Sequence, residues 1–148
     1  MRIPLMLAAL LLAVPVTASE SVSVRSAVFI ETADSASPAK TRAITPASTL
    51  QSGDKVVLLV DWRAGHRSSF TITSEVPRNL SFRESARPMQ EVSVDGGKSW
   101  GQLGEITLRD RFGRRPARPA DVTHLRWRIH ASEAALGRGN IAYSATVR

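Results

Sequence analysis

The chain has 148 residues, no cysteine and a formal net charge of +7. It can therefore form no disulfide and carry no lipid-modified cysteine, and no segment reaches the roughly 18 to 20 consecutive apolar residues of a membrane-spanning helix. The basic excess favours encounters with anionic surfaces and leaves the fold open.

Met1 to Ala18 starts with Arg2, runs through the apolar stretch Leu5 to Pro15 and closes on the small residues Val16-Thr17-Ala18. That is the pattern of a secretory signal peptide, and it predicts export to the periplasm or the extracellular space. The mature chain would begin near Ser19 with 130 residues (148 minus 18) and a charge of +6 (19 basic minus 13 acidic). This length suits one domain that builds its own core.

Val22 to Ile30 alternates, with Val22, Val24, Val28 and Ile30 on one face, and reads as a first strand. Residues 31–50 are rich in Ala, Ser, Thr and Pro without apolar periodicity. They predict a long, mobile connection holding at most a short strand around Ile44. A turn at Gln51-Ser52-Gly53-Asp54 leads into Lys55 to Arg63, apolar on both faces as a central strand is. Phe70 to Thr73 and Leu80 to Phe82 follow, separated by Pro77, and Glu91 to Val94 enters a dense turn motif.

That motif is Ser93-Val94-Asp95-Gly96-Gly97-Lys98-Ser99-Trp100. Asp-Gly between alternating residues signals a hairpin, since glycine accepts the positive φ of tight turns. Asp95 and Ser93 can cap the turn's free amides with their side-chain oxygens, and Trp100 is expected to pack inward at the start of the return strand. Leu103 to Arg109 continues beyond it, with Gly104 as a bulge; residues 109–119 read as a loop. His124 to His130 and Ile141 to Val147 alternate as the last two strands, the only helix-like segment being Ala131 to Leu136. The pattern predicts an all-β protein, an immunoglobulin-like β-sandwich of about seven to nine antiparallel strands in a single domain over residues 19–148. The first and last strands are expected at open sheet edges, where they would favour self-assembly.

Two longer stretches carry a resemblance. Ser52-Gly53-Asp54-Lys55-Val56-Val57-Leu58 through Val76-Pro77-Arg78-Asn79-Leu80-Ser81-Phe82 resembles the P-G-D-x-V-x-Y … L-P-x-G-L-x-F frame of a conserved-repeat domain of bacterial surface and secreted proteins. The likeness continues through the Asp-Gly-Gly motif and Asp121 to Trp127, with Ser52 and Asn79 standing where the frame has Pro and Gly. It implies an immunoglobulin-type sandwich with no established catalytic role. The turn motif by itself resembles the Asp-box of sialidases and related carbohydrate enzymes. Those enzymes are propellers of four or more blades, which 130 residues with one box cannot build, and no paired carboxylates are recognisable.

The expectation is accordingly no catalytic residue, no cofactor and no metal site. Two clusters are candidate anion-binding surfaces. His124, Arg126, Arg128 and His130 share strand parity over roughly 20 Å. Arg109, Arg111, Arg114, Arg115 and Arg118 concentrate five cations in ten residues, offset by Asp110. The simpler and favoured reading of each is a solvated face. The expected partner is an anionic envelope polymer or another envelope protein; nucleic acid is disfavoured because no stacking aromatics accompany the arginines.

Overall fold

The computed structural model describes residues 21–33, 42–47 and 49–148. The expected signal peptide lies outside them, as do residues 34–41 of the predicted connection. Two antiparallel sheets face each other across one core, giving the all-β sandwich expected from the alternation.

The larger sheet is built outward from its most apolar strands. β3 (Lys55–Ala64) and β10 (Arg138–Val147) pair from Arg63 opposite Arg138 to Lys55 opposite Thr146. β1 (Val22–Ala33) lies on the other side of β3, β2 (Arg42–Pro46) beyond β1, and β5 (Leu80–Ser85) beyond β10. The smaller sheet places β9 (His124–Ile129) between β4 (Phe70–Glu75) and β6 (Glu91–Ser93). A separate hairpin pairs β7 (Thr107–Asp110) with β8 (Gly113–Pro116). The predicted helix-like segment is one short turn, α1 (Ala131–Ala134).

Alternation fixes which side chains meet. Val56, Leu58, Val60 and Trp62 of β3 and Ile141, Tyr143 and Ala145 of β10 are buried against Leu125, Trp127 and Ile129 of β9. A row of rings crosses the sandwich, with Phe82 and Tyr143 at 6.2 Å and Tyr143 and Trp127 at 5.9 Å between centroids. Each large buried side chain contributes about 1.5–3 kcal/mol. Trp62 lies across Gly139, where a Cβ would come within 2.5 Å of its ring, and meets Phe70 edge-on at 5.3 Å.

Three expectations are corrected. The short strand expected around Ile44 is present as β2, paired with β1 from Ala33 opposite Arg42 to Phe29 opposite Pro46, but β1 runs on to Ala33 where the connection was expected to begin at Glu31. An edge strand needs no apolar face of its own, so Ile44 stays 52% exposed and Pro46 is tolerated at the strand end. The first and last long strands are not edges, since β1 sits between β2 and β3 and β10 between β3 and β5. The apolar face of β10 is buried in the core, while on β1 only Val28 and Ile30 pack against it and Val24 stays exposed. Residues 109–119 hold the end of β7, all of β8 and a 3₁₀ turn at Pro119–Asp121, while Gly104 lies in a turn before β7.

Candidate functional site

The Asp-box segment forms a wide loop closed by Val92 and Gly101, which exchange backbone hydrogen bonds of 2.9 and 3.1 Å. Inside it Asp95 Oδ1 accepts the Lys98 and Ser99 amides at 3.1 and 3.0 Å and the Ser93 hydroxyl at 2.7 Å. Its Oδ2 accepts the Ser99 hydroxyl at 2.6 Å. These bonds, the Ser99 hydroxyl foremost, hold the Asp95 carboxyl far below the usual carboxylate range. The buried Ser93 Oγ also accepts the Gly97 amide at 2.8 Å, and Gly96 and Gly97 supply φ of +79° and +86°. Both carboxylate oxygens are engaged within the loop.

Trp100 does not enter the core. Gly101 stands opposite the inward-pointing Val92, so its neighbour Trp100 must face the other way. The half-buried indole donates to the Gly97 carbonyl at 3.1 Å and packs on the outer face of β9. Arg126 lies 4.4 Å from its centroid and His124 meets it edge-on at 6.4 Å.

The histidine-arginine strand is thereby partly engaged. Arg126 pairs with Glu91 of β6 at 2.8 Å, directly opposite in register. His124 Nδ1 lies 3.1 Å from Thr123 Oγ1. Arg128, opposite Thr71, is exposed. His130 leaves the strand to open α1, its carbonyl accepting the Ala134 amide at 2.9 Å. The four side chains do not form one open basic surface.

The arginine cluster divides sharply. Arg115 is spent on structure: its guanidinium grips Asp121 at 2.7 and 2.9 Å and Asp110 at 3.0 Å, clamping the hairpin to the 3₁₀ turn. Arg115 accordingly draws the Asp121 carboxyl down to about 2. Asp110 also accepts the Phe112 amide at 2.8 Å, and Gly113 takes a φ of +118° to complete the turn. The hairpin base is held by Ala117 donating to the Ile106 carbonyl at 2.8 Å, with Ile106 packed on the core. What the hairpin presents outward is Arg109, Arg111, Phe112 and Arg114. Arg109 stands opposite Arg114, and Arg111 leans 4.7 Å from the centroid of Phe112, itself 85% exposed. Among the described residues none of these three arginines has an ion-pair partner. Arg118 is exposed beside the 3₁₀ turn, its amide donating to Asp121 at 2.8 Å.

No protein family, curated protein or solved structure matches this chain in comparison. Composition alone does not separate Arg115 from its neighbours or single out Phe112. The signal was present, since Asp110-Arg111-Phe112-Gly113 has the Asp-x-x-Gly pattern of a turn, which places the two middle residues at a tip.

Proposed function

We propose that this protein is an exported, immunoglobulin-like β-sandwich module of the bacterial envelope or extracellular space that does no chemistry of its own. It acts by holding an anionic polymer against the β7–β8 hairpin. The observation that carries the reading is the opposed pair Arg109 and Arg114 with Arg111 and Phe112 at the tip, three cations without carboxylate partners among the described residues, on a hairpin that Arg115 holds in place. Carboxylate or phosphate groups spaced along a chain would engage the guanidiniums through charge-assisted hydrogen bonds, while the Phe112 ring offers an apolar contact to the backbone between them.

Export is supported by the Met1 to Ala18 pattern, and membership of the conserved-repeat family by the stretches Ser52 to Leu58 and Val76 to Phe82. The strand face at Arg126 is the weaker binding surface because Glu91 and Trp100 already occupy that guanidinium. Binding to polygalacturonate tests the reading. Exchanging Arg109, Arg111 and Arg114 together for Gln should weaken it strongly, and a triple variant that binds as the parent does would contradict it.

A further inference from the structure

A groove of about 780 Å³ lies away from the hairpin. It lies on the outer face of the five-stranded sheet, where Ser23 and Arg25 of β1, Asp61 and Arg63 of β3, and Arg138 and Asn140 of β10 come together. The register sets them in two rows: Arg25, Asp61 and Asn140 in one, Ser23, Arg63 and Arg138 in the next. Arg63 directly faces Arg138. Like charges in that relation destabilise a sheet when nothing stands between them. Asp61 is the one carboxylate lining the groove, so three cations and one anion leave it at net +2. Among the described residues none of Arg25, Arg63 and Arg138 belongs to an ion pair.

These side chains stand on three neighbouring strands inside the five-stranded sheet. β1, β3 and β10 are all inner strands of the sheet, and the Trp62 ring lies close against the β10 backbone at Gly139. Ala64 closes the end by donating to the Gly137 carbonyl at 2.9 Å. The opposed guanidiniums are thus imposed by pairing rather than by a loop.

We propose that this groove binds a phosphate monoester, the phosphoryl group seated between Arg63 and Arg138. A monoester carries about 1.5 to 2 negative charges at pH 7, which matches the groove's net charge, whereas a carboxylate or a phosphodiester carries one and leaves a guanidinium uncompensated. Planar guanidiniums take phosphoryl oxygens two at a time. Arg25, Asn140 and Ser23 supply further donors, and the volume exceeds what a phosphate needs, leaving space for an attached group the size of a sugar. The site is independent of the hairpin reading.

The test is calorimetric titration of the purified protein with inorganic phosphate and with glucose 1-phosphate, with thermal melts alongside. Both ligands should bind the parent and raise its melting temperature. Arg63→Gln and Arg138→Gln should each weaken binding by about tenfold, as loss of a charged hydrogen-bonding partner does. Removing one of two opposed cations should also leave the phosphate-free melting temperature at or above the parent's, so a folding defect does not obscure the result. Lys55→Gln, which removes an exposed cation at the far end of β3, should bind as the parent does. Vesicles separate the sources: capture by phosphatidic acid over phosphatidylglycerol places the monoester on a lipid, and binding of the sugar phosphate without capture places it in solution. Equal phosphate binding by the parent and Arg138→Gln, or no binding by the parent, overturns the proposal. Loss confined to Lys55→Gln also overturns it and leaves the hairpin reading standing.

Discussion

The guanidinium of Arg126 lies 4.4 Å from the centroid of Trp100 while pairing with Glu91 at 2.8 Å. Two sequence features, the Asp-box and the basic strand, are therefore one structural unit. The loop after β6 folds over β9 and covers its middle cation with an aromatic ring. A double-mutant cycle with Arg126→Gln and Trp100→Leu should give a coupling of about 0.5–1 kcal/mol, the range of a cation–π contact near the surface. Denaturant melts of the four proteins measure it, and additive effects would show that the ring and the cation are merely neighbours.

Asp95 accepts from two amides and two hydroxyls of its own loop, so its loss should be felt in stability and not in binding. Asp95→Ala is expected to lower the melting temperature by roughly 5 °C. Polygalacturonate affinity should stay unchanged below that transition. A binding defect at an unaltered melting temperature would place Asp95 in a binding site.

Acid should weaken the fold in a defined window. Asp121 sits at about 2 against an ordinary 3.8, drawn down by Arg115, and Asp95, Asp110 and Glu133 are lowered by their own hydrogen bonds. A carboxyl whose folded pKa is depressed adds stability that is fully present above its unfolded value and disappears as pH falls through the folded one. For Asp121 that loss spans pH 3.8 down to about 2. Melting temperature against pH should fall through this range, and Asp121→Asn should flatten part of the fall while starting lower at neutral pH. An identical slope in the variant would deny the Arg115 clamp its role.

Gly139 is required for space. A Cβ there would meet the Trp62 ring at 2.5 to 3.0 Å, and the ring is held against Phe70, so Gly139→Ala should cost about 1–3 kcal/mol, as overpacking does. Chemical denaturation checks it, and a neutral result would mean the Trp62 ring moves aside freely.

The fold class was legible because alternation reports directly on burial. Val56, Leu58, Val60 and Trp62, and likewise Ile141, Tyr143 and Ala145, are buried as their parity predicts. Pairing partners were not legible. Which strand β1 joins, or that residues 42–46 pair with it, depends on backbone hydrogen bonds that leave no composition signature on an edge. Trp100 was misplaced for a related reason: its face is set by which residue opposes Val92, and the loop length between them hides that register. The arginines were counted correctly as a cluster, yet only the fold distinguishes Arg115, committed to Asp110 and Asp121, from Arg109 and Arg114, opposed to each other. The groove at Arg63 and Arg138 brings together residues from three strands distant in sequence, so no local motif could announce it.

The central claim, that the hairpin arginines hold an anionic polymer, is tested most directly by the salt dependence of polygalacturonate binding. Each cation that neutralises a polymer charge releases counterions, so the parent's log affinity should fall with log salt more steeply than that of the Arg109/Arg111/Arg114→Gln variant, by about 2 to 3 in slope. The parent should also bind more tightly at low salt. Equal slopes and equal affinities in the two proteins would contradict the account.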